Sequence, residues 1–180
     1  SGLALWSVDE VTDYLKLGVS HRAGVFGPMN EVVVNSTRHL SREDVRAIAV
    51  YLKSLPANSQ DSGEPATDDV MRAGSIQYDI HCGSCHLPTG EGSPEQGPPL
   101  IGSPVVLDVD PASLINITLY GAQTPHTSPS DEWASRTWIR MEPFDNILDD
   151  EQVAALLSFI RATWGHEAGA VTPEQVAAQR

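Results

Sequence analysis

Two stretches of the chain carry apolar residues at helical spacing. Val153, Leu156, Leu157, Ile160 and Trp164 fall at i, i+3, i+4, i+7 and i+11, on one face of a helix. Burying five such side chains contributes roughly 7–15 kcal/mol before entropy is counted, so this stripe predicts a core. The second stripe is Val45, Ile48, Ala49 and Leu52, in a helix that must stop before Pro56. Polar start signals stand ahead of the periodic segments. Ser7 with Glu10 makes a capping box for a helix ending near Leu17, with Gly18 as its stop. Ser41 with Asp44, and Asp149 with Gln152, repeat the device. Thr67 caps a helix running towards residue 82, and Asp110-Pro111 opens one that ends at Gly121. The expected fold is all-α.

Residues 57–66 are polar, contain Gly and Pro, and lack periodicity, which predicts a linker between residues 1–56 and residues 67–180. Long loops are expected around Gly27-Pro28-Met29 and over 122–140, which holds Trp133 and Trp138. Gly74 and Tyr78 lie one turn apart on the Thr67 helix. A glycine in a helix costs about 1 kcal/mol, and close approach of another helix, with Tyr78 beside the gap, is the physical reason for it. The last helix is the expected neighbour. The two segments also echo each other: capped helix, Gly stop, loop, Met, cap, apolar helix. Residues 1–56 therefore read as the back half of a unit whose front half is missing. A lone helical pair leaves the Val45–Leu52 stripe uncovered, so it is expected to seek another surface, most simply a second copy in a homodimer.

Chemistry is concentrated in Cys82-Gly83-Ser84-Cys85-His86, the C-x-x-C-H spacing of a c-type haem attachment site. Cysteines three apart on a helical turn face the same way, so each thiol can add to one haem vinyl group. The histidine that follows can ligate iron, and a methionine thioether is the usual sixth ligand of a carrier. Zinc is a weaker reading, because His81, Cys82, Cys85 and His86 within six residues cannot easily wrap a tetrahedral ion. A thioredoxin-like pair wants a preceding strand, and a helix is expected there.

Met141, in a loop 55 residues after His86 and just ahead of the last helix, is the leading sixth ligand. His126 comes second. Met71 sits about 20 Å along the same helix from Cys85 at 1.5 Å per residue and cannot fold back. Pro98 has a carbonyl but no N–H; facing the Nδ1–H of His86, that carbonyl would fix the ring tautomer and support the ligand. Met29 is a ligand type with no haem motif of its own in this chain.

Charge narrows the partners. Residues 1–60 carry 6 acids and 6 bases, whereas residues 61–180 carry 18 acids against 5 arginines and no lysine. Nucleic acid and anionic membrane are therefore poor partners for residues 61–180, whose acidity serves either solubility or docking of a basic redox partner. With no run of 18 apolar residues, no transmembrane segment is expected. Both cysteines lie in the motif, leaving no disulfide framework. Thioether attachment implies export, hence a periplasmic location.

Residues 67–164 resemble class I cytochrome c through Gly74, Tyr78, the C-x-x-C-H motif, Gly97-Pro98, Met141, and Leu156 with Phe159. The chain further resembles the C-terminal part of the multi-haem cytochrome c subunit of bacterial membrane-bound alcohol or aldehyde dehydrogenases. Trp6-Ser7, Gly27-Pro28-Met29 and Val45–Lys53 carry that likeness in the first segment, and Arg161–Gly165 in the last. The resemblance implies one covalent haem c in this chain, on Cys82 and Cys85, with Tyr78 and Pro98 around it and His86 and Met141 as axial ligands. It also implies electron transfer rather than catalysis, from a periplasmic dehydrogenase subunit towards quinone or an oxidase. A peroxidase-like haem enzyme, or a redox or gas sensor with a displaceable sixth ligand, is the rival class. The family has three haem motifs where this chain has one.

Overall fold

A computed structural model describes residues 3–56, 63–122 and 138–180. Among them the helices are α1 (Val8–Leu17), α2 (Pro28–Asn35), α3 (Arg42–Ser54), α4 (Asp68–His81), α5 (Gly83–His86), α6 (Ala112–Tyr120), α7 (Asp150–Ala162) and α8 (Pro173–Ala177). A 3₁₀ turn covers Thr37–His39. Extended pairing among the described residues is limited to the isolated bridges Val19–Gly24, Ser93–Gly97 and Ala122–Met141. The all-α expectation holds.

The start signals act as their chemistry requires. Ser7 accepts from the Glu10 N–H while the Glu10 carboxylate accepts from Ser7, and Gly18 closes α1 with φ +77°. Asp149 and Gln152 form the reciprocal pair at α7. At α6 the register shifts by one: Pro111 is the N-cap, and Asp110 Oδ1 accepts from the Ala112 N–H at 3.0 Å. Two helices go beyond expectation. The loop around Met29 is helical from Pro28, a proline well suited to a first helical position. Thr172 and Gln175 box the short α8.

Two apolar clusters form. The larger contains Tyr78, Leu114, Ile115, Leu119, Val153, Leu156, Leu157 and Ile160. Here α4 crosses α7 at Gly74, where a Cβ would lie 2.1 Å from the Ala155 carbonyl oxygen. The smaller contains Trp6, Val11, Leu15, Val45 and Ala49, edged by Met29 and Leu52. That cluster corrects the expectation of an uncovered stripe on α3. Val45 and Ala49 are fully buried, because Trp6 and the Val11/Leu15 face of α1 pack over them within the same segment. Ile48 alone of the four is exposed, at 38%.

The two segments correspond at helix ends and lengths. Gly18 and Gly121 both close helices with φ near +75°, and α3 and α7 both have 13 residues. They differ in what covers the last helix: α4, α6 and α8 pack on α7, and α1 on α3. The tail returns to the larger core. Buried Arg161 donates to the carbonyls of Val106, Asp108 and Gly169. Ala170 N–H donates to the Glu64 carbonyl at 2.8 Å, pinning the described end of the expected linker, of which residues 57–62 lie outside the described residues.

Candidate functional site

The motif is built where α4 gives way to α5. Cys82 closes α4, its N–H donating to the Tyr78 carbonyl, and its own carbonyl accepts from the N–H groups of Cys85 and His86 at 3.1 and 2.9 Å. One tight turn thus carries both thiols and the imidazole. After it, Leu87 takes φ +61°, an unusual backbone for a side-chain-bearing residue. The Tyr78 hydroxyl holds it by donating to the Leu87 carbonyl at 2.6 Å. Trp164 braces the following loop, its Nε1–H donating to the Pro88 carbonyl at 3.2 Å and its ring lying over Gly90.

His86 is buried, and its Nδ1 lies 2.8 Å from the Pro98 carbonyl oxygen. A carbonyl can only accept, so Nδ1 carries the proton and Nε2 keeps its lone pair. Burial lowers the His86 pKa, with the Pro98 hydrogen bond opposing it; the imidazole is held neutral, the form a metal needs. Gly97 makes the approach feasible, since a Cβ there would lie 3.2 Å from the His86 Cε1. Burial, followed by the neighbouring Cys85, pushes the Cys82 thiol up to about 12. Met141 is fixed by a two-way bridge with Ala122: its N–H donates to Ala122 at 2.9 Å and its carbonyl accepts at 3.3 Å. Gly121 permits this, as a Cβ there would meet the Met141 oxygen at 2.3 Å.

Cys82, Cys85, His86 and Met141 all line one cavity of about 370 Å³, within the size range of cofactor pockets. Its walls are mainly apolar, among them Val106, Leu114, Phe144, Leu156, Leu157 and Ile160. Trp138 also lines it, and the buried Trp138 Nε1–H has no hydrogen-bond partner among the described residues. A buried donor facing a cavity wants an acceptor there. Haem fits this set: an apolar slot, two thiols on one turn, an imidazole with a free Nε2, a thioether, and a donor for a carboxylate. Among the described residues no three His, Cys, Asp or Glu side chains cluster as a metal site, which leaves the zinc reading without a ligand set.

Pro98 lines the cavity, and so does His81, its ring against Phe144. Tyr78 is not among the described residues lining it; it supports the motif from behind, packed against Phe159 and Trp164. Met71 lies on α4 outside that lining, while His126 and Trp133 lie outside the described residues. Sequence reasoning missed the wall supplied by Arg22, Ala23, Gly24, Val25 and Phe26 of the first segment. No local signal marks it, because it depends on how the two segments dock. Arg140, beside Met141, was equally unmarked.

The family model for cytochrome c matches residues 71–164. The cytochrome c subunit of the quinone alcohol dehydrogenase of Gluconobacter oxydans (strain 621H) is 36% identical over 178 residues, covering 93% of this chain and 36% of that protein. The gluconate 2-dehydrogenase cytochrome c subunit of Pantoea cypripedii is 35% identical, covering 99% of this chain and 42% of its own length. The fructose dehydrogenase cytochrome subunit of Gluconobacter japonicus is 29% identical, covering 98% and 40%. The chain thus spans about two fifths of the length of these curated relatives.

Proposed function

The chain belongs to the cytochrome c family, whose members carry covalent haem c and transfer electrons, and on that premise we propose how this chain does so. Residues 67–180 form a unit with one haem c, attached through Cys82 and Cys85 and ligated by His86 and Met141. Residues 1–56 are the back half of a preceding cytochrome unit, joined by the 57–66 linker. When bound, the haem supplies a one-electron ferric/ferrous couple. The chain supplies the rest. His86 offers Nε2 because Pro98 holds the proton on Nδ1. Met141, anchored to Ala122, offers a soft thioether that favours the ferrous state. The apolar walls keep water away, and Trp138 offers a hydrogen bond.

The observation that carries this reading is the convergence of Cys82, Cys85, His86 and Met141 on one apolar cavity. With His86 and Met141 both held at the cavity, iron bound there would keep no position for substrate, which favours a carrier over a peroxidase-like enzyme or a sensor. The dehydrogenase cytochrome subunits among the relatives support a place in a longer subunit that passes electrons from a periplasmic dehydrogenase towards quinone or an oxidase. No helix among the described residues is long and apolar enough to cross a membrane, so any membrane association of this part runs through a partner or a further segment. A homodimer through residues 1–56 would use Ile48, Val50 and Tyr51 of α3 and Leu55 just after it, which are exposed.

Absorption spectra test the reading. A carrier shows a low-spin spectrum in both oxidation states that cyanide and carbon monoxide leave unchanged. A high-spin ferric form that binds cyanide, or a ferrous form that binds carbon monoxide, would favour the enzyme or sensor instead.

A further inference from the structure

Residues 22–26 lie outside the stretch that matches the cytochrome c family, 71–164, yet they line the cavity that holds Cys82, Cys85, His86 and Met141. Their loop is well built. Gly18 turns the chain out of α1, the Val19–Gly24 bridge clips the turn, Ser20 N–H donates to Ala23 at 2.9 Å, and Val25 N–H donates to Gly18 at 2.8 Å. Val25 is 1% exposed. Arg22 is placed within this loop by an ion pair, its Nε donating to Glu10 Oε1 at 2.7 Å. Glu10 is fixed in turn by the capping box of α1 and also receives His21 Nε2 at 2.8 Å. Its side chain is 14% exposed and that of Arg22 31%.

The first segment thus brings an ion-paired guanidinium to the cavity of an acidic second segment. Residues 61–180 carry 18 acids and 5 arginines. Of those arginines, Arg72 pairs with Asp69, Arg180 with Asp150, Arg161 donates to buried carbonyls, and Arg140 lines the same cavity beside Met141. Fixed charge beside an apolar cavity is poorly screened, and positive charge there favours the redox state that carries one positive charge fewer, the ferrous one.

We propose that the first segment completes the haem site, with Arg22 of the 22–26 wall raising the reduction potential and Glu10 moderating that effect. Arg22 acts as a positioning and tuning residue, since it ligates nothing. This rests on the haem reading above.

The test is a spectroelectrochemical titration of the full haem-loaded chain at pH 8, above the range in which free imidazole titrates. Arg22→Gln should lower the midpoint potential, Arg22→Lys should leave it near the parent value, and Glu10→Gln should raise it. Opposite shifts from the two halves of one ion pair are what charge produces; structural loosening moves both the same way. An unmoved potential in Arg22→Gln, or shifts of the same sign in Arg22→Gln and Glu10→Gln, overturns the inference. Should Glu10→Gln fail to fold, the Gln–Lys contrast at Arg22 decides by itself. A parent chain without covalent haem overturns the haem reading and this inference together, whereas a haem-bearing parent with unmoved variants overturns this inference alone.

Discussion

Gly74 meets the backbone of Ala155 so closely that an added Cβ would lie 2.1 Å from the Ala155 carbonyl oxygen and 2.6 Å from Phe159 Cβ. The crossing of α4 and α7 therefore closes on a residue without a side chain, and the haem motif hangs from the end of one of the two helices. Gly74→Ala gains about 1 kcal/mol of helix propensity but forces two backbones apart, a change of the overpacking kind that costs roughly 1–3 kcal/mol or more. Because the clash is with backbone, the upper end of that range applies, and the net expectation is a chain destabilised by about 2 kcal/mol, with helix content intact, read by denaturant unfolding of the haem-loaded protein. A variant as stable as the parent, or more so, would show that the helices have room between them.

Met141 is placed by its bridge to Ala122 and lines the cavity with His86. Met141→Ala should keep the haem attached and open the sixth position. The ferric spectrum loses its methionine–iron charge-transfer band, and the ferrous form binds carbon monoxide. A variant with an unchanged spectrum and no carbon monoxide adduct would place the ligand elsewhere, with His126 the next residue to replace.

Glu10 titrates below its ordinary value of 4.5: burial alone would raise it, but hydrogen bonds from Ser7 and Arg22 and the Arg22 charge outweigh burial. A carboxyl with a depressed folded-state pKa binds its proton more readily when unfolded. Its contribution is thus fully present above the ordinary carboxylate range and is lost as pH falls through the folded value. Glu10→Gln should be less stable than the parent at pH 7, and the gap should close as the pH falls below 4.5. Denaturant midpoints at a series of pH values check this. A gap that stays constant down to the most acidic pH would mean that Glu10 acts through packing alone.

What was legible in the sequence was local. Side-chain caps three residues from the N–H groups that donate to them (Ser7, Ser41, Thr67, Asp149) mark helix starts because the bond is made within one turn. The C-x-x-C-H spacing puts three functional groups on one turn, and Gly74 signals its own close contact. The less legible features depend on distant chain. The segment after Met29 contains Val32, Val33 and Val34, whose branching weakens helix propensity, so α2 was hidden despite the Pro28 start. The stripe of α3 looked uncovered because Trp6, one of its partners, precedes the first capped helix. Arg161 reads as a surface residue until the Val106, Asp108 and Gly169 carbonyls are brought to it. The 22–26 wall exists only once the first segment docks on the second.

A single haem c on Cys82 and Cys85 fixes the intact mass of the protein isolated from a host with haem-attachment machinery. That mass should be the polypeptide plus one haem, retained under denaturing conditions and lost when Cys82 and Cys85 are both replaced by Ala. A mass equal to the bare polypeptide, or one that includes two haems, would contradict it.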